Sequence, residues 1–337
     1  MTMDDLARRK LLSGMLVFGG GIVAAPAALA NALGQQAIRP RNLKDDLVFS
    51  RSPFTLGIAS GDPAADGFVI WTRLAPQPMV PGGGMPMAPV PVRWEVAADE
   101  RFRTVVASGD VLAPPELGHS VHVELAGLTP DRPYWYRFTC GGQRSATGRS
   151  RTFPPAGAPA DRVRFAVAGC QNIEGGYFGA WRDIAEGQLD FVYHYGDYIY
   201  EGPGKPGQAL NPSRELDGKE VYSLDDYRRR YATYKADADL QAAHASAPFF
   251  VAFDDHEVDN NWARDIDQDD TPPELFRMRR AMAMQAYYEH MPLRRSSLPQ
   301  GGHIQIFRRA SFGSLLNAHI LDTRQYRTDQ PCGDGNK

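Results

Sequence analysis

Cysteine is scarce: Cys140, Cys170 and Cys332 are the only three in 337 residues. A small, odd number excludes a disulfide framework and leaves at least one thiol free or holding something. Charge of one sign is also lacking. Lys and Arg total 37 against 40 Asp and Glu, a formal net charge of −3, with no long basic run. That balance gives no electrostatic case for nucleic-acid binding. Beyond the first 30 residues no segment approaches the ~20 uninterrupted apolar residues of a membrane span, and no internal repeat is visible. What the chain does have is 33 Gly and 26 Pro in a 43% hydrophobic background. Such a composition favours a soluble globular protein of many turns and short strands over a helical bundle. The length exceeds one ordinary domain.

The N-terminus reads as an address. Arg8-Arg9 precede the apolar, glycine-softened run LLSGMLVFGGGIVAAPAALA, which closes on Ala28-Leu29-Ala30. A basic start, an apolar middle and an A-x-A-like end make an export signal over residues 1–30. The paired arginines point to the twin-arginine translocation machinery as a transient partner and to a periplasmic or secreted protein. Residues 31–52 read as a polar linker.

From Phe54 the text turns to short alternating runs: FTLGIASGDPAADGFVIWTRL, VPVRWEVAAD, SVHVELAGL and PYWYRFTC. Period-two patterning between turn residues predicts strands, and their spacing predicts a small immunoglobulin- or fibronectin-like β-sandwich over 53–155. LTPDRPYWY has the form of a tyrosine corner, with Tyr134 or Tyr136 tying back to the turn. Trp71, Trp94 and Trp135 then belong to the core. His119 and His122, with no acidic or thiol partner nearby, read as strand residues.

RTFPPAGAPADR marks a boundary, and the pattern changes over 160–337. Strand-like VRFAVAGC, LDFVYHYGD and PFFVAFDDHE alternate with helix-like YFGAWRDIAEG, LDDYRRRYATYKADADLQAAHASA and PELFRMRRAMAMQAYYEHM. A strand pair around HIQIFRRASFGSLLNAHILD follows. The alternation predicts a layered α/β domain. Within it, Arg228–Tyr231 reads as a solvated helix face, His194 as a buried, hydrogen-bonded histidine, and His244 and His290 as core or surface residues.

Three strands in this region end alike, at Cys170, at Asp197, and at Asp254-Asp255-His256. The crevice of an open α/β sheet lies beyond the carboxyl ends of its strands. One thiol, several carboxylates and an imidazole therefore converge on one volume. Like charges at that density repel unless a cation neutralises them, so the pattern predicts a metal site. The alternative for each Asp alone is a helix cap.

The motifs VAGCQN, HYGDYIYE, FDDHEVDNNW and LDTRQYRTDQPC, with FTLGIASGDP and GFVIWTRL before them, resemble the PhoD-type alkaline phosphatases of the calcineurin-like metallophosphoesterase superfamily. The resemblance spans the chain from the signal onward. It implies a layered metallophosphatase sandwich and hydrolysis of phosphate esters, monoesters first and diesters as a second class. It also implies a dinuclear centre of Fe3+ and Ca2+. By that resemblance Asp197 bridges the two ions, Cys170 and Tyr200 add thiolate and phenolate to the iron, and Asp255 reaches the calcium. Asn261 and Glu257 are further oxygen donors, His256 is the catalytic residue at the substrate, and Arg264 and Arg324, with Arg327, clamp phosphate oxygens.

Cys170, Tyr200 and Asp255 replace Asp, Asp and Asn of the broader superfamily pattern, and its closing histidine motifs do not occur before Lys337. The expectation is an incomplete catalytic domain with weak or no activity as written. The alternative function is a non-catalytic extracellular binding module with a degenerate metal site; a mononuclear iron protein is a third reading.

Overall fold

A computed structural model of the chain describes residues 48–205, 207 and 214–330. The export segment, most of the linker and Cys332 lie outside the described residues.

The alternating runs form strands β1 (Ile58–Gly61), β2 (Val69–Arg73), β3 (Val90–Ala97), β4 (Val105–Ala113), β5 (Ser120–Glu124), β6 (Pro133–Cys140), β7 (Gln143–Arg144) and β8 (Gly148–Arg151). Strand β4 carries mostly small and polar residues and is largely exposed, so it lacks the apolar alternation that betrays the others. β3, β4, β6 and β7 make one antiparallel sheet, with β8 also paired to β6. Phe68, Ile70, Val121 and Val123 from β5–β2–β1 and their flanks share one buried core with Val92, Val96, Tyr136 and Phe138 of that sheet. The Tyr134 hydroxyl donates to the Thr129 carbonyl at 3.1 Å, so Tyr134, not Tyr136, ties the corner.

The second half supplies β9 (Phe165–Ala168), α1 (Gly179–Glu186), β10 (Phe191–His194), α2 (Leu224–Lys235), α3 (Ala238–Ser246), β11 (Pro248–Val251), α4 (Pro273–His290), β12 (Arg308–Phe312) and β13 (Leu316–Ile320). The stretch read as one helix from 224 to 247 is two. Asp237 turns extended and its side chain accepts from Leu240 N at 3.0 Å, capping α3. A side chain that satisfies a new helix start in this way ends the old one.

β9, β10 and β11 are parallel. β11 then pairs in parallel with β1, Ser60 opposite Pro248, so a single sheet of order β5-β2-β1-β11-β10-β9 crosses the boundary read at 155–160. All four residues of β11 are buried, as a central strand covered on both faces requires. Val192, Phe249 and Val251 face a core built with the four helices, while Phe191 and Phe250 face Phe153 and the β12–β13 hairpin.

Two sequence expectations change here. The Arg228–Tyr231 face is not solvated. Arg228 holds the fully buried Glu289 of α4 through both carboxylate oxygens, at 2.7 and 2.6 Å, while Arg230 and Tyr231 are buried. α2 packs against α4, and the charge on its face is spent on that contact. His194 is fully buried as expected, but both ring nitrogens lack partners; it stacks on Trp181 instead of hydrogen-bonding.

Candidate metal centre

Because β9, β10 and β11 run the same way, their carboxyl ends open at one edge of the sheet. Cys170 and Asp197 both have φ of 54°, the left-handed region that turns a chain abruptly out of a strand. The two turns are stitched together: Cys170 N donates to Gly196 O at 3.0 Å and Gln171 N to Asp197 O at 3.1 Å. Gly196, at φ 135°, allows the third tip to close in. A Cβ there would sit 2.3 Å from Asp254 N, so no other residue fits.

The side chains these turns present form one constellation. Tyr200 Oη donates to Asp197 Oδ2 at 3.2 Å, and the exposed Cys170 thiol lies near enough to both side chains for them to perturb it. Donor atoms of Asp197, Asp255 and His256 all lie within 4.8 Å of one another. The Tyr200 ring leans on the His256 ring, centroids 4.2 Å apart. Asp197, Asp255, His256 and Tyr200 thus share one volume, while Cys170 is exposed beside it and its sulfur is not among the donor atoms that lie within 4.8 Å of one another.

Each group is held by a second layer. Asp255 Oδ2 accepts from Asn261 N at 2.7 Å, and its Oδ1 lies 3.1 Å from Arg324 Nη2, whose Nε donates to Asp254 at 2.6 Å. His256 Nδ1 is 2.7 Å from Glu201 Oε2, and the other Glu201 oxygen accepts from Asn260 N at 2.7 Å. Glu257 is fully buried and accepts from the backbone N–H of Tyr198 (2.7 Å) and Asp254 (2.9 Å).

The charges are mutually unfavourable as they stand. Burial, then the neighbouring Asp197, pushes the Cys170 thiol and the Tyr200 phenol up. Burial raises Asp197 itself, with His256 pulling the other way and Asp255 adding to the rise. Burial works against charge on His256, yet the hydrogen bond and charge of Glu201 outweigh it and lift the imidazole to about 9. Burial and then Asp197 take Glu257 up to about 8, despite its backbone donors.

Asp197 Oδ1 is buried with no partner. An orphaned carboxylate oxygen among a thiol, a phenol and a second carboxylate is the donor set a cation satisfies, and it fits a metal centre.

Not every candidate is placed as a ligand or clamp. Glu257 spends its oxygens on backbone donors beneath the site. Arg324 is buried in ion pairs with Asp254 and Asp255. Arg264 is exposed; its backbone N–H donates to Arg324 O and its carbonyl receives Arg280. Asn261 reaches Asp255 through its backbone, at φ 57°. Glu201 was not singled out from the sequence. It directly follows Tyr200, but only the fold brings it to His256, 55 residues away.

A family model described as "PhoD-like phosphatase" matches residues 165–337, and one described as "PhoD-like phosphatase, N-terminal domain" matches 41–154. Alkaline phosphatase D of Bacillus subtilis (strain 168) is 51% identical over 290 residues, covering 86% of this chain and 50% of that protein. A solved structure of PhoD superposes with a TM-score of 0.83 at 50% identity, covering 86% of this chain and 56% of that one. The chain thus spans about half the length of the relatives it matches.

Proposed function

This chain belongs to the PhoD-like phosphatase family, and on that premise we propose that its strand-tip constellation serves hydrolysis of phosphate esters, monoesters first and diesters second. The observation that supports the proposal is the cluster of Asp197, Asp255 and His256, with Tyr200 donating to Asp197 and the other Asp197 oxygen buried without a partner.

In this reading Cys170, Tyr200 and Asp197 would hold Fe3+, for which thiolate and phenolate are suited donors. Asp255, and with it Asn261, would serve Ca2+, which prefers oxygen. When bound, such a pair supplies an acidified water and neutralises charge on the ester oxygens. The chain's own part is positioning and proton handling. Glu201 occupies His256 Nδ1, so Nε2 is the ring atom left to hold a proton for the leaving group. Asp254 and Asp255 anchor Arg324 beside the site, where its guanidinium adds positive charge for an anionic substrate. We further propose that the protein is exported through its twin-arginine segment and works outside the cytoplasm.

The test is metal content and colour. Loaded with Fe3+ and Ca2+, the chain should retain both ions after desalting and show the visible absorption of ferric phenolate and thiolate. Asp197→Asn should lose the colour and lower turnover of p-nitrophenyl phosphate roughly a hundredfold while folding normally. Retained colour in Asp197→Asn would sink the proposed ligand set.

A further inference from the structure

A cavity of about 370 Å³ opens elsewhere on the sheet, walled by Asp62 beyond β1, Phe250 of β11, Arg294, and Arg308 and Arg309 of β12. It lies on the Phe250 face, four residues upstream of Asp254. None of Asp197, Asp255 and His256 lines it.

Its three guanidinium groups are unequally satisfied. Arg294 is occupied, donating to Asp62 O at 2.8 Å and facing Glu124 at 3.2 Å. Arg308 donates to Asp62 Oδ1 and to Ile306 O, both at 2.7 Å, but its Nη2 is buried without an acceptor. Arg309 is exposed, and its side chain makes no hydrogen bond or ion pair among the described residues. Asp62 is 4% exposed, and only one of its side-chain oxygens is paired. Three arginines thus line the recess with one carboxylate, Asp62, while a second, Glu124, pairs with Arg294 beside it, leaving a net positive charge at the walls. A buried N–H without an acceptor costs free energy that a bound oxygen restores. Guanidinium forks match the paired oxygens of a phosphoryl or carboxyl group.

We propose that this cavity is a second oxyanion site, taking the phosphate group of free phosphate or of a phosphate monoester, separate from the metal centre and independent of it. Arg309 supplies the free charge, Arg308 the unpaired donor, and Arg294 with Asp62 the rigid frame. The volume exceeds one phosphate group, so the site has room for part of an esterified alcohol beside the Phe250 ring.

Calorimetric titration of the full chain with inorganic phosphate tests this. Arg309 has no partner to lose, so Arg309→Ser should fold and melt as the parent does. Phosphate should bind the parent and Asp197→Asn alike, and Arg309→Ser roughly tenfold more weakly, the worth of one charge-assisted contact. Phenylphosphonate, which cannot be hydrolysed, separates the two ligand sources. Binding as tight as phosphate assigns the cavity to esters, and exclusion assigns it to the free ion. No binding at millimolar phosphate, binding unchanged in Arg309→Ser, or binding abolished by Asp197→Asn would each overturn the proposal. Because the metal centre is disabled in Asp197→Asn, failure of this inference leaves the proposed activity standing, and the converse also holds.

Discussion

Glu201 is 3% exposed and spends both oxygens, one on His256 Nδ1 and one on Asn260 N. Glu201→Gln keeps the shape and removes the charge. In the metal-free chain the His256 imidazole should then titrate well below its value of about 9, returning toward the ordinary 6.5. Proton NMR of His256 checks this, and an unmoved titration would mean that other carboxylates hold the charge. Cys170, Asp197 and Asp255 were singled out in the sequence by their convergence at strand ends, and Tyr200 by the family resemblance. Glu201 was not, because an acid in a loop is ordinary until a distant ring is laid against it. Glu257 misled for the opposite reason. It adjoins two good candidates, yet its side chain turns inward to the N–H groups of Tyr198 and Asp254.

Among the elements, α2 begins on a capping box. Ser223 accepts from Asp226 N at 3.2 Å, and Asp226 accepts from Ser223 N at 3.0 Å. Ser223→Ala should cost about 1 kcal/mol in chemical denaturation without altering metal content. α2 positions Arg230, which donates to Gly202 O at 3.0 Å in the loop that carries Tyr200 and Glu201. Strand and helix identities were legible wherever apolar spacing was strong, as in β6, β10, β11 and α4. They were not legible in β4, whose residues are largely exposed, nor at the α2–α3 break, where a helix-favouring composition hides a single capping aspartate. The polar face Arg228–Tyr231 looked solvated because sequence spacing cannot reveal that Glu289 waits opposite, on a helix some sixty residues later.

At the scale of the molecule, several histidines are buried without charge. Burial alone lowers His122 to about 4; burial and then Lys235 lower His194 to about 3; His244 and His290 are also held well below 6.5. Each folded value lies below the unfolded one, so between them the unfolded chain binds more protons and gains from acid. The stability these sites contribute is full above pH 6.5 and drains away as pH falls toward 4 and then 3. Glu257, raised to about 8, and Asp259, raised to about 7, work in the opposite sense over the upper part of that window, so the rings themselves are the measure. Proton NMR should find the rings of His122, His194, His244 and His290 still neutral well below pH 6.5, and a ring that protonates near 6.5 would contradict its burial.

The continuous sheet predicts a second whole-molecule property. A fragment starting at Ala160 removes β1, β2 and β5 and leaves β11 as an exposed, wholly apolar edge. It should aggregate or melt without a cooperative transition, checked by size exclusion and circular dichroism. A soluble, cooperatively folding fragment would restore the autonomous domains that composition suggests.

Ser60 and Pro248, partners at the middle of that sheet, are separated by roughly 190 residues of chain. β11, which leads to Asp255, therefore waits for a neighbour made long before it, and the sheet closes late. Slow folding is expected from that order of events, and the cluster at the strand tips must be among the last things the nascent chain acquires.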